Sequence, residues 1–153
     1  DMAVALVALN ARAETVSPSG DVRSVPVADL HRLPGDMPHV ETTLVPGELI
    51  TAVTLPPPPQ GGQVYRKVRD RASYAGGLAS VAVAGPNLAL GMVALKPWRA
   101  SAAEAALAGG ATPGEAIGAE LSAARPLGRN DCKIPLGARL AVAAIDESRE
   151  AAR

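Results

Sequence analysis

A chain of 153 residues with fifteen basic and fifteen acidic side chains carries no formal net charge. It therefore has no electrostatic footprint for nucleic acid or for an anionic membrane surface, and no apolar run approaches the roughly 20 residues that span a bilayer. Three aromatic side chains, Tyr65, Tyr74 and Trp98, leave the core to Val, Leu, Ile and Ala, while a single cysteine, Cys132, excludes an internal disulfide and cannot alone hold an iron–sulfur cluster.

In chain order, Asp1 precedes MAVALVALNA, which reads as a helix capped by the Asp1 carboxylate. Because it is apolar on nearly every side, the expectation is burial on nearly every side, and since a free terminus normally starts in solvent, sequence is expected to be missing upstream. AETVS and VRSVPV, separated by the turn-forming residues 18–21, predict a hairpin. Residues 28–33 predict one helical turn, stopped by Pro34 and Gly35. His31 and His39 have no partner at a metal-like spacing and read as loop or surface residues. After the Pro46-Gly47 turn, ITAVTL predicts a third strand. Four consecutive prolines at 56–59 cannot join a sheet interior, and they mark either a domain boundary or a rigid crossing within one domain.

Beyond the prolines, VYRKVRD, LASVAVA and LALGMVA predict three strands, the last ended by residues 96–98. Three helical stretches follow: RASAAEAAL, PGEAIGAELSAA with Pro113 near its first turn, and PLGARLAVAAIDESREAAR. The last is expected to pack on the sheet through Leu136, Leu140 and Ile145. Strands followed by segregated helices indicate an α+β class, with helices on one face of an antiparallel sheet.

No nucleophile elbow, Walker loop, dinucleotide glycine fingerprint or His-Glu metal motif is present, so no catalytic or metal-ligating residue is assigned. Chemically capable groups concentrate in YRKVRDRASY. Strand alternation places Lys67, Arg69 and Arg71 on one face, which is either a site for an anionic ligand or a solvated edge guarded by charge.

The string KVRDRASYA, preceded by LVPGELITAVTLPPPP and followed by ALGMVALKPWRA, resembles the FAD-binding medium subunit of the molybdenum hydroxylases, particularly the bacterial aldehyde and xanthine oxidoreductase branch. The likeness runs from the opening DMAVALVALNA to the closing ARPLGRNDCKIPLGARL. It implies that residues 1–62 form the end of a second FAD-binding subdomain, and that residues 63–153 form a small C-terminal domain with a three-stranded antiparallel sheet flanked by helices. It also implies FAD as cofactor, with a molybdenum-cofactor large subunit and a small subunit carrying [2Fe-2S] clusters as partners. Electrons would pass from those clusters through FAD to an external acceptor, in the cytoplasm or, if exported with a partner subunit, in the periplasm.

Three positions match flavin-contacting positions of that family: Asp1 at the head of the first helix, Ile50 as an apolar neighbour of the flavin, and Lys67 as a positive charge. The glycine- and alanine-rich loops that hold the FAD diphosphate in the family lie in an N-terminal half that this sequence does not contain. The chain also departs from the pattern in the short AVAGPNLALG connection, in Gly76-Gly77 and in Asp131-Cys132, each expected to remove packing from the small domain. A scaffold that keeps subunit contacts without binding a cofactor is the alternative reading, and the substrate is left open.

Overall fold

The computed structural model of the chain describes residues 1–152; Arg153, the end of the expected terminal helix, lies outside them. The order of elements is α1 (Met2–Ala8), β1 (Arg12–Val16), β2 (Val22–Pro26), α2 (Val27–Leu30), β3 (Leu49–Thr54), β4 (Gln63–Val68), β5 (Ala79–Ala84), β6 (Asn87–Gly91), β7 (Trp98–Arg99), α3 (Ser101–Ala108), α4 (Pro113–Leu121) and α5 (Lys133–Ala151). The fold is α+β, with a three-stranded antiparallel sheet in the order β2-β1-β3 and a second antiparallel sheet in the order β4-β5-β6-β7.

The second sheet contains the three expected strands and one more. β6 ends at Gly91, the chain bends through residues 92–96, and Trp98 and Arg99 pair with Leu90 and Ala89 as a two-residue strand instead of leaving the sheet. Both faces of this sheet are covered, which is a correction to the expectation of helices on one face only. Val81, Val83, Leu88 and Leu90 face a cluster that includes Ala116, Ile117, Ala141, Ala144 and Ile145 of α4 and α5. On the opposite face Ala82, Ala84 and Ala89 meet Val4, Val7 and Ala8 of α1. Burial on both sides explains why all six residues of β5 are buried and why its sequence shows no polar alternation.

The two faces differ in side-chain size, and that difference sets the spacing of the layers. Bulky Val and Leu meet the α3–α5 layer, whereas the α1 side is lined by Ala and by Gly91. A Cβ on Gly91 would stand 2.5 Å from Val4 Cγ2 and 2.3 Å from Ser80 Oγ, so α1 rests on the strand backbone at this point. Each fully buried Val, Leu or Ile contributes about 1.5–3 kcal/mol, and in a chain without phenylalanine these residues carry the core.

One expectation about the helices is corrected and another is met in part. In α1 only Val4, Val7 and Ala8 are buried, and Met2 is 76% exposed, so the helix has one covered face in place of an all-round apolar contact. In α5 the buried positions are Gly137, Ala141, Ala144, Ile145 and Ser148. Leu140 is half-buried beside that cluster and Leu136 is half-buried. Ile145 is thus in the core as expected and Leu140 packs against it, while Leu136 does not join the cluster and small residues form the rest of the contact face.

Candidate functional site

Strand β4 pairs with β5 so that Tyr65 lies opposite Ala82 and Lys67 opposite Ser80. Directly opposed residues share a face, and this is the face that receives α1. The start of α1 therefore meets the middle of β4. Lys67 Nζ forms an ion pair with Asp1 Oδ2, and the Tyr65 hydroxyl donates to Asp1 Oδ1 at 2.9 Å. The Lys67 side chain is 19% exposed and that of Asp1 is 44% exposed, so the pair is accessible from the carboxylate side.

Asp1 does not cap its helix as expected. Its side chain makes no capping bond; its main-chain oxygen accepts from Val4 N at 3.1 Å while the carboxylate turns to Tyr65 and Lys67. Two donors that include an ammonium outweigh a single first-turn amide for a carboxylate of this exposure. The expected cationic face is also corrected, because β4 ends at Val68 and Arg69 and Arg71 lie beyond the strand. Arg71 instead donates to the main-chain oxygen of Tyr74, a residue at φ 52°, and Arg66 pairs with Glu147 of α5. Of the three cations, Lys67 alone remains on the α1 face.

Ser80 adds a group that the sequence reading missed. It is 1% exposed and, among the described residues, its Oγ has no hydrogen-bond partner. A lone hydroxyl in the otherwise apolar ASVAVA run was the available signal. Gly77 completes the surroundings: a Cβ there would stand 2.2 Å from Met92 Sδ and 3.0 Å from Lys67 Cδ. The departure from bulk at this position therefore gives the Lys67 stem its room and does not leave a gap. Tyr65 was likewise missed as a member of the site.

Ile50 is placed elsewhere, on β3 of the first sheet, opposite the buried Thr15 and 47% exposed. Among the described residues Ile50 belongs to neither hydrophobic core. Cys132 is exposed at the head of α5, and no group of three or more His, Cys, Asp or Glu side chains suited to a metal ion exists among the described residues. No helix among them is long and apolar enough to cross a membrane.

A second polar cluster is structural in geometry. Glu48 accepts from Arg23 Nε at 2.6 Å, from Arg23 Nη2 at 2.7 Å, from Thr15 Oγ1 at 2.5 Å and from Val45 N at 2.8 Å. The Arg23 guanidinium first, then Thr15 and the Val45 amide, hold its carboxyl well below the usual carboxylate range, at about 2. A third cluster joins α1 to the second sheet. Arg99 donates to Val7 O at 2.8 Å, to Asn10 Oδ1 at 2.6 Å and to Asn87 Oδ1 at 2.7 Å, and it pairs with Glu104.

No family model matches the chain. It is 49% identical over 155 aligned residues to the aldehyde oxidoreductase FAD-binding subunit PaoB of Escherichia coli (strain K12), an alignment covering 97% of this chain and 48% of that protein. Its fold matches a chain of reconstituted CO dehydrogenase from Oligotropha carboxidovorans with a TM-score of 0.79 at 25% identity, over 99% of this chain and 57% of the other. The chain thus spans about half the length of the curated relative it matches. Over that share of their length the chain is similar in sequence to an FAD-binding subunit of an aldehyde oxidoreductase and in fold to a chain of CO dehydrogenase, in agreement with the resemblance to the FAD-binding subunits of the molybdenum hydroxylases.

Proposed function

We propose that the chain is the part of an FAD-binding electron-transfer subunit that supplies one edge of the flavin site. The subunit would serve a molybdenum-dependent hydroxylase or dehydrogenase, in which electrons pass from iron–sulfur clusters through FAD to an external acceptor. A molybdenum-cofactor subunit and an iron–sulfur subunit are the partners this reading requires. The division into residues 1–62, as the end of an FAD-binding subdomain, and residues 63–153, as a small C-terminal domain, is part of the same proposal.

The observation that carries the reading is the convergence of Asp1, Tyr65 and Lys67 from segments more than 60 positions apart. The groups present suit one edge of a flavin. Lys67 offers positive charge and Tyr65 a hydroxyl, while the buried Ser80 Oγ, directly across the strand pair from Lys67, has no partner among the described residues. Ile50 offers an apolar surface on the first sheet. Bound FAD would supply the redox chemistry; the task of these residues is to hold charge beside it and to exclude water.

These groups cannot enclose FAD alone, since pockets of this kind bury about 70–90% of their ligand and the chain has no glycine-rich diphosphate loop. The test is titration of FAD into the chain, with and without the remaining segment of the E. coli relative, followed by flavin fluorescence and absorbance. A yellow stoichiometric complex that needs both parts is the expected result. Tight binding by the chain alone would place the pocket elsewhere, and no binding even with both parts would favour a cofactor-free scaffold.

A further inference from the structure

One concavity of the molecule is lined by none of Asp1, Tyr65, Lys67 and Ser80. It is a cleft of about 900 Å³ between the segment 92–97 that follows β6, the α4–α5 connection at 123–130, and the end of α2. That volume falls within the range of small-molecule sites, about 300–1,000 Å³. Its walls are apolar, formed by Val93, Leu95, Trp98, Leu121, Leu127 and Ile134. Leu95 is 76% exposed and Leu127 84% exposed, so two large aliphatic side chains stand at the mouth without cover.

The charges at this cleft are one-sided. Lys96, Arg125 and Lys133 line it against one carboxylate, Asp29, which leaves an excess of two positive charges (three minus one). Arg99, the remaining lining cation, is neutralised by Glu104. Lys133 Nζ donates to Met92 O at 2.8 Å, Lys96 Nζ to His31 O at 3.4 Å, and Arg125 Nη1 to Ala124 O at 3.3 Å. Each is held by a main-chain oxygen, and among the described residues none of the three forms an ion pair; the Glu120 carboxylate behind Trp98 is taken up by the indole N–H and by Ala103 N. Met92 itself sits at φ 64°, a conformation costly for a residue with a side chain, and its carbonyl is the one that anchors Lys133. The backbone strain therefore lies at the cleft wall.

From this combination of apolar walls and unpaired cations we infer that the cleft binds a small amphipathic carboxylate, its apolar body against Trp98, Leu121 and Ile134 and its charge toward Lys96, Arg125 and Lys133. None of Asp1, Ile50, Tyr65 and Lys67 lines this cleft, so the inference does not rest on the flavin reading. Arginine recognises a planar carboxylate through two parallel donors, and an uncharged ligand of the same shape would leave the ammonium groups without an anion.

Trp98 is the sole tryptophan of the chain, and its indole is fixed by a 2.7 Å bond from Nε1 to Glu120, so its emission reports on this cleft. The probes are octanoate, octan-1-ol and octylammonium, all transparent where tryptophan is excited. Octanoate is expected to shift Trp98 emission saturably, with one site by calorimetry, and octan-1-ol to bind about tenfold more weakly or worse, as loss of a charge-assisted contact implies. Lys96→Gln and Arg125→Gln should each weaken octanoate about three- to fivefold without altering octan-1-ol, with far-ultraviolet circular dichroism confirming the fold. Equal binding of octanoate and octan-1-ol, or binding of octylammonium as tight as that of octanoate, would overturn the proposal in favour of an uncharged docking surface. Absence of a saturable Trp98 response would overturn it outright.

Discussion

Glu48 illustrates how a single carboxylate can tie a sheet to a distant loop. Its side chain is 1% exposed and takes four donors, from β1, from β2 and from Val45 three residues upstream. Its folded pKa lies near 2, against an ordinary value of 4.5. A group with a depressed folded pKa stabilises the fold above its unfolded pKa and loses that contribution as pH falls through the folded value. Stability against urea should therefore drop as pH is lowered from about 4.5 toward about 2, and Glu48→Gln should flatten this acid limb while lowering stability at neutral pH. An unchanged acid limb in the variant would remove Glu48 from the account. Lys67 makes the other residue-scale test. A unit charge pair about 4 Å apart at an effective dielectric near 20 is worth about 4 kcal/mol, and partial exposure reduces this to about 1–2. With about 30 mV per 1.4 kcal/mol for a two-electron couple, Lys67→Met in a subunit reconstituted with FAD should lower the flavin potential by about 20–40 mV. Asp1→Asn, by freeing Lys67 from its partner, should shift it the opposite way. Spectroelectrochemical titration reads both, and equal potentials in all three proteins would return the pair to a purely structural role.

At the scale of elements, α5 shows which features could be read in advance. The longer strands were legible because proline, glycine and β-branched residues punctuate them, the two-residue β7 was not, and α4 was legible through Pro113 at its first turn, where the structure adds a capping box between Thr112 and Glu115. The contact face of α5 was legible only at Leu140 and Ile145, because Gly137, Ala141 and Ala144 carry most of it and small residues give a weak periodic signal. The cationic face failed for a similar reason: nothing in VRDRAS announces that the ladder stops at Val68. Lys67 was singled out through family likeness, whereas the placement of Tyr65 and Ser80 beside it needed the register of β4 against β5. Two glycines separate close approach from mere absence of a side chain. Gly62 O accepts from Ser148 Oγ at 2.8 Å, and a Cβ on Gly62 would lie 2.1 Å from the Ser148 main-chain oxygen. Gly137 lies within α5, and a Cβ there would meet only Val93 Cγ1 at 3.5 Å, an ordinary contact. Gly62→Ala should then destabilise the chain by about 1–3 kcal/mol or more through overpacking, while Gly137→Ala should stabilise it by about 0.5–1 kcal/mol through helix propensity. Urea unfolding of the two variants decides the matter, and a stable Gly62→Ala protein would mean that α5 does not dock as described.

At the scale of the molecule, the second sheet is covered on both faces while the first is left partly open. Its outer strand, β3, pairs with β1 on one edge only, and all six of its residues are exposed. Ile50 and Val53 lie opposite Thr15 and Ala13, both buried, so they belong to the face that packs inward, yet each is 47% exposed because the cover stops short of the edge. Leu49, at 65%, and Leu55, at 53%, extend the apolar strip along the same edge. An unpaired edge with large aliphatic side chains on its inward face is a template for pairing with another chain. In the reading proposed above, other parts of a flavoprotein subunit would cover it; in solution, the chain by itself should associate through it, increasingly with concentration. A lysine at Val53 would leave the β1 pairing intact, since the β1 register runs through main-chain groups, and would set a charge at the centre of the strip. Val53→Lys should thus shift the chain toward the monomer in sedimentation velocity, with little change in its circular dichroism. Association undiminished by Val53→Lys would mean that another surface is responsible, and the open cleft flanked by Leu95 and Leu127 would then be the next place to substitute.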